Sequence, residues 1–173
     1  MPKILIGVIG DSETTNPKEL EFAEKLGKAL AKKGYVIISG GRGGIMEAVA
    51  KGAKKGGGIT VGILPWTSKK DANPYTDIVI PTGLGWARNS IVPLAADVVV
   101  AIGGKAGTLS ELAFAWLYDK PIICVKGFGG WSEILAGKKI DDRRDDIIYA
   151  ASSVDEVLQI IEQIIDSYPR EEK

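Results

Sequence analysis

Gly103-Gly104-Lys105-Ala106-Gly107-Thr108-Leu109-Ser110-Glu111 follows a Val-rich run, Val98 to Ile102, that reads as a strand buried on both faces. A glycine turn that opens a helix directly after such a strand is a phosphate cradle in outline. The first helical turn leaves backbone N–H groups without partners and carries a partial positive charge, so an anion fits there. Gly103, Gly104 and Gly107 lack a Cβ and let the backbone approach a ligand closely, with Lys105, Ala106 and Thr108 between and beside them. Thr108 sits where an N-cap belongs and Glu111 three residues on, the capping-box pattern, so Glu111 has a structural duty open to it beside a chemical one.

A second stretch, Gly40-Gly41-Arg42-Gly43-Gly44, repeats this logic after the apolar run Tyr35 to Ser39. A third, Gly83-Leu84-Gly85-Trp86-Ala87-Arg88-Asn89, offers a cation for phosphate or sugar and an indole that either stacks on a base or packs. Gly10, Asp11, Ser12 and Thr14 close the first strand; they can bond ribose or phosphate and are also ordinary turn residues. Trp66, Trp116 and Trp131 read as core or interface.

Composition removes several alternatives. Histidine is absent, which excludes Ser-His-Asp and Cys-His nucleophiles, imidazole acid-base catalysis and the usual zinc sites. The single cysteine, Cys124, cannot form a disulfide or a metal cluster within one chain, so no metal site is expected and a reducing, cytoplasmic setting fits. Lys plus Arg and Asp plus Glu are both 22, which leaves no global field to attract nucleic acid or an anionic membrane. DNA handling is disfavoured on the same ground, and no apolar run is long enough to span a bilayer. Neither G-x-G-x-x-G after the first strand nor G-x-x-x-x-G-K-[ST] occurs, which disfavours an ordinary dinucleotide dehydrogenase or P-loop NTPase.

These residues need elements to hold them. Strands are expected at Lys3 to Ile9, Tyr35 to Ser39, Ile59 to Leu64, Asp77 to Ile80, Val98 to Ile102, Pro121 to Val125 and Ile147 to Ala150. Helices alternate with them. Asn16-Pro17 starts the first, with Glu19 three residues after the cap, and Ser153-Val154-Asp155-Glu156 starts the last. The alternation predicts one doubly wound α/β domain over residues 1–168, a mainly parallel sheet of six to seven strands, and a short charged tail at 169–173. The glycine clusters all follow strands and therefore gather at the carboxyl edge of the sheet. The charged stretch Asp141 to Asp146 reads as a solvated loop.

Taken together, Gly40 to Val49, then Arg88-Asn89, then Gly103 to Glu111 resemble the family once labelled "lysine decarboxylase-like", which includes the LOG cytokinin-activating phosphoribohydrolases and the molybdenum cofactor carrier proteins. The resemblance runs from the first strand to about Val125. It implies a Rossmann-like fold, a homodimer or higher homo-oligomer, and a nucleoside monophosphate or molybdopterin-type ligand with its phosphate on the glycine-rich helix N-terminus. It further implies catalytic roles for Arg88 and Glu111, in hydrolysis of an N-glycosidic bond to free base and ribose 5-phosphate, with no cofactor required. The motif's leading Pro is Ile102 here, one extra residue separates Gly104 from Gly107, and Asn89 replaces the basic residue after the Arg. These departures draw the chain toward the carrier-like branches. The reading is therefore binding of a nucleotide-like phosphate ligand, with phosphoribohydrolase activity as the alternative.

Overall fold

The computed structural model describes residues 2–168; the tail expected at 169–173 lies outside the described residues. Among the described residues there are seven strands: β1 (Leu5–Gly10), β2 (Val36–Ser39), β3 (Thr60–Leu64), β4 (Ile78–Pro81), β5 (Val98–Ile102), β6 (Ile122–Val125) and β7 (Tyr149–Ala151). They form one all-parallel sheet in the order β4-β3-β2-β1-β5-β6-β7. Six helices among the same residues connect or flank them: α1 (Pro17–Lys32), α2 (Ile45–Lys55), α3 (Ile91–Ala95), α4 (Ala106–Leu117), α5 (Gly130–Leu135) and α6 (Val154–Asp166). Two short 3-10 helices, Lys69–Asp71 and Gly85–Ser90, lie in the loops after β3 and β4. The doubly wound α/β domain expected from the alternation is the fold observed.

The sheet separates two apolar layers. Ile6, Val8, Val98 and Val100 face α1, α2 and α6 through Leu26, Leu30, Val49, Val157 and Ile161. On the opposite face, Ile9, Val99, Ala101 and Cys124 meet α3 and α4 through Val92, Leu112, Ala115 and Trp116. Near-continuous apolar strands follow from this, because a parallel sheet covered by helices has no solvated face.

Helix α1 begins as its sequence dictates. Asn16 Oδ1 accepts from Lys18 N at 3.1 Å and Pro17 takes the first position, where a missing N–H is harmless. Glu19 does not complete a capping box; its carboxylate is buried and accepts from Thr14 Oγ1 at 2.7 Å. Strand β7 starts two residues later than expected. Ile148 donates to Lys138 O and accepts from Gly137 N, which commits it to the α5 loop, so pairing with β6 begins at Tyr149. The stretch Asp141 to Asp146 is not simply solvated: Asp141 accepts from Trp116 Nε1 at 2.7 Å and the Arg144 guanidinium lies 4.4 Å from the Trp116 ring.

Helices α1 and α2 cross at backbone contact. A Cβ at Gly27 would overlap Val49 O, and one at Gly52 would overlap Glu24 O. Gly27→Ala is expected to lower stability by roughly 1–3 kcal/mol through overpacking, although alanine is the better helix former. Urea denaturation of wild type and variant measures this; a stabilised variant would contradict the close crossing.

Candidate active site

The strand order fixes where a site can form. From β1 the chain crosses over to β2 on one side, and from β5 to β6 on the other, so the loops leaving these neighbouring strands diverge. A crevice opens there, at the carboxyl edge, as open parallel sheets require. A cleft of about 550 Å³ occupies it, walled by Gly10 to Glu13 after β1, Arg42 and Met46, Pro65 and Trp66, Gly85, Trp86, Arg88 and Asn89, and Lys105 to Thr108 with Glu111. A larger groove of about 700 Å³ runs between α1 and α2 on the outer surface. Several of its charged groups already pair with one another, Lys25 with Glu21, and Lys51 and Lys55 with Glu24, and of the residues singled out in the sequence as binding a ligand it holds Thr14 and Gly44.

Helix α4 supplies the floor. It starts at Ala106, with Lys105 as an extended N-cap that makes no side-chain capping bond. Its first backbone bond runs from Leu109 N to Lys105 O, so the N–H groups of Ala106, Gly107 and Thr108 precede the helical ladder. The Thr108 cap and the Thr108–Glu111 capping box are thus corrected. Gly103 and Gly104, at φ +57° and +96°, turn the chain early and start the helix sooner, leaving Thr108 buried beneath Gly104. Glu111 consequently falls in the second turn, beyond reach of any cap.

Arg88 and Asn89 enter from the 3-10 helix Gly85–Ser90, and both are buried. Asn89 Nδ2 donates to Ser110 Oγ at 2.9 Å, and that hydroxyl donates to Gly107 O at 2.7 Å, which ties the segment to α4. Gly40 makes room for Arg88, since a Cβ there would overlap its Nη1. Arg88 is only 5% exposed, and its Nε has no hydrogen-bond partner. Burial lowers its pKa, Glu111 opposes that, and the neighbouring Arg42 adds to it.

Glu111, 7% exposed, is the counterpart. Burial pushes its carboxyl up to about 8, against the pull of Arg88, so near neutral pH it holds a proton. The pair is then a buried guanidinium with little counter-charge beside an acid that titrates in the working range. Such perturbed groups in a cleft make it a candidate functional site. Lys105 reaches across the crevice to Asp11 Oδ2 at 3.1 Å, and the Arg42 guanidinium lies 4.6 Å from the Trp66 ring.

Of the residues singled out in the sequence, the cleft unites Gly10, Ser12, Arg42, Arg88, Asn89, Lys105, Ala106, Gly107, Thr108 and Glu111. Gly40, Gly41, Gly43, Gly44, Gly103 and Gly104 do not line it. Their lack of a side chain serves packing instead: Gly41 lies against Gly62, and Gly44 and Gly43 against the Asp11–Ser12 backbone. Gly103 O and Gly104 O accept from Ser132 N and Trp131 N at the start of α5. Trp66, read as core or interface, is 43% exposed on the cleft wall, while Trp116 is core as expected. Glu13, Met46 and Pro65 were not singled out in the sequence; Pro65, directly after β3, shares the carboxyl edge and so carried a legible signal. Among the described residues, no group of three or more His, Cys, Asp or Glu is arranged to hold a metal ion. No helix among them is long and apolar enough to cross a membrane.

Fold and cleft together define a Rossmann-like α/β protein with a polar site at its topological switch point. The SLOG cluster4 family profile matches residues 3–158, and the chain belongs to this LOG-type family. It is similar to the cytokinin riboside 5′-monophosphate phosphoribohydrolase of Mycobacterium tuberculosis, 32% identical over 140 residues that make up 76% of this chain and 75% of that protein. Among solved structures, the molybdenum cofactor binding protein of Rippkaea orientalis superimposes with a TM-score of 0.85 at 40% identity, covering 95% of this chain and 99% of that one. The molybdenum cofactor carrier protein of Chlamydomonas reinhardtii gives 0.83 at 34% identity, covering 95% and 100%.

Glu111→Gln tests the electrostatics. A carboxyl whose folded pKa is raised from 4.5 to about 8 binds its proton more tightly in the native state, so its unfavourable contribution grows as pH rises through that window. The variant is expected to melt higher than wild type, with a gap that is small at about pH 5 and widens toward pH 8. Thermal denaturation across that range reads it directly, and a gap independent of pH would contradict the assignment.

Proposed function

We propose that the cleft binds a small phosphate ester of nucleotide type, AMP-like or molybdopterin-type, with its phosphate on the first turn of α4. The observation that carries this is Gly107. Gly103 and Gly104 are required by positive φ and by close neighbours, whereas Gly107 is helical and a Cβ there would meet nothing nearer than Asn89 Nδ2 at 3.9 Å. A glycine in a helical position that could hold alanine gives up roughly 0.5–1 kcal/mol. Keeping the N–H groups of the first turn bare is what it gains. Arg88 and Arg42 face the same space, and an anion between them relieves both their mutual repulsion and the unpartnered Arg88 Nε. The cofactor-binding and carrier proteins with which the chain superimposes over nearly its whole length support the same reading.

Hydrolysis of nucleoside 5′-monophosphates is the second reading, and Glu111 favours it. A carrier gains only the neutrality of this buried acid, whereas a hydrolase also uses its proton. In an N-glycosidase the protonated acid hands its proton to the departing base as the C1′–N bond breaks. The resulting carboxylate then faces the positive anomeric carbon and the water that adds to it. Arg88 holds phosphate or sugar. No cofactor is needed for this chemistry. This reading goes with a cytoplasmic homo-oligomer, a setting that suits the free thiol of Cys124, which burial pushes up to about 12.

Two measurements test these readings. Gly107→Val is expected to fold normally yet lose the thermal shift given by AMP; an unchanged shift would remove the cradle. Incubation of wild-type protein with nucleoside monophosphates should release free base, and Glu111→Gln should slow release by roughly 10²–10⁴-fold while binding persists. A thermal shift with no base released would leave the carrier reading standing alone.

A further inference from the structure

The wall of the cleft built by the loops after β3 and β4 carries two tryptophans. Thr82 N donates to Leu64 O at 3.1 Å, Gly83 N to Trp66 O at 3.0 Å and Gly85 N to Pro65 O at 2.8 Å. These bonds staple the loops after β3 and β4 together and set Trp66 and Trp86 on the same side of the cavity. The two rings are differently employed. Trp66 is engaged by the Arg42 guanidinium, 4.6 Å from its centroid, an arrangement that holds the cation in the cleft.

Trp86 is left open to solvent. It is 80% exposed, more than any other large apolar side chain among the described residues. Its backbone is nevertheless held: Gly85 takes φ +57° to begin the 3-10 helix, and Ala87 N donates to Leu84 O at 3.2 Å. The ring also has a fixed neighbour, because a Cβ at Gly107 would lie 4.0 Å from Trp86 Cζ3. An unburied aromatic face therefore stands beside the bare first turn of α4.

We propose that Trp86 is the base platform of this cleft, stacking a planar bicyclic heteroaromatic ring, purine or pterin, of a ligand whose phosphate rests on α4. The inference builds on the phosphate reading above and names the chemical class that the remaining space selects. Stacking needs only a π-face, so it accepts either ring system and discriminates against phosphate esters that have none. The nearness of Trp86 to Gly107 favours ligands whose ring and phosphate are separated by a linker of about one sugar. Arg42 and Arg88 then address the anionic end while Trp86 takes the apolar end, the division of labour common to small-molecule sites.

The test compares AMP, a pterin monophosphate and ribose 5-phosphate by isothermal titration with wild type, Trp86→Ala and Trp86→Phe. Wild type is expected to bind the ring-bearing esters at least tenfold more tightly than ribose 5-phosphate. Trp86→Ala should reduce that ratio by roughly ten- to a hundredfold, the loss typical of one stacked base. Trp86→Phe should retain most of it, as a smaller π-face would. A ratio near one in wild type, or one unmoved by Trp86→Ala, overturns the platform while leaving the phosphate site intact. Failure of wild type to bind any of the three overturns the phosphate reading and the platform with it. Size-exclusion chromatography of the same proteins completes the test: a dimer that Trp86→Ala converts to monomer, with the affinity ratio unchanged, makes the indole an interface residue and overturns the proposal.

Discussion

The parallel pairing of β1 with β5 is the constraint from which the rest follows. Ile6 lies opposite Val98 and Gly10 opposite Ile102, so both strands end at the same level. The connections leaving them pass to opposite faces of the sheet, because a right-handed crossover from β1 to β2 and another from β5 to β6 run in opposite directions along it. A crevice is the geometric result. The candidate site lies there because there two neighbouring strand ends send their loops to opposite faces of the sheet.

The glycines that make the sequence conspicuous divide by purpose once that crevice is described. Gly27 and Gly52 let α1 and α2 touch at the backbone; Gly41 and Gly44 bring the β2 loop down onto β3 and the β1 loop. Gly103 and Gly104 supply a left-handed turn that starts α4 early. These positions build the cleft without facing into it. Gly107 alone among the three in its loop has neither a left-handed backbone nor a crowded neighbourhood, which is why it speaks for a ligand and the others speak for architecture.

Strand positions and fold class were legible in the chain because a covered parallel sheet writes itself as apolar runs, and Asn16-Pro17 and Ser153 announce helix starts through side chains that cap locally. The residues of the α4 turn were legible for the same local reason. The start of α4 was not, since nothing in Thr108 and Glu111 distinguishes a capping box from a buried pair; the positive φ of Gly103 and Gly104 decides it, and that is a tertiary fact. That Trp66 stands on the cleft wall rather than in the core was not legible, because an indole's burial depends on which loops meet over it. The burial of Arg88 behind Gly40 likewise required the fold, since 48 residues of chain separate the cavity from the side chain that fills it.

The two functional readings differ in what they ask of Arg88 and Glu111. A carrier needs cations and bare N–H groups, and it gains from a neutral Glu111, because a charged carboxylate would repel the phosphate held beside it. A hydrolase needs the same neutral acid on binding and its carboxylate one step later. A folded pKa of about 8 serves both requirements in turn, since the proton is held when the dianionic ligand arrives and remains available for transfer once it is bound. The buried pair is thus compatible with simple carriage but is fully used only where a bond is broken. That asymmetry ties the question of catalysis to a single side chain: both readings ask the cradle, the arginines and the open indole to bind, and only the proton on Glu111 separates a protein that holds its ligand from one that divides it.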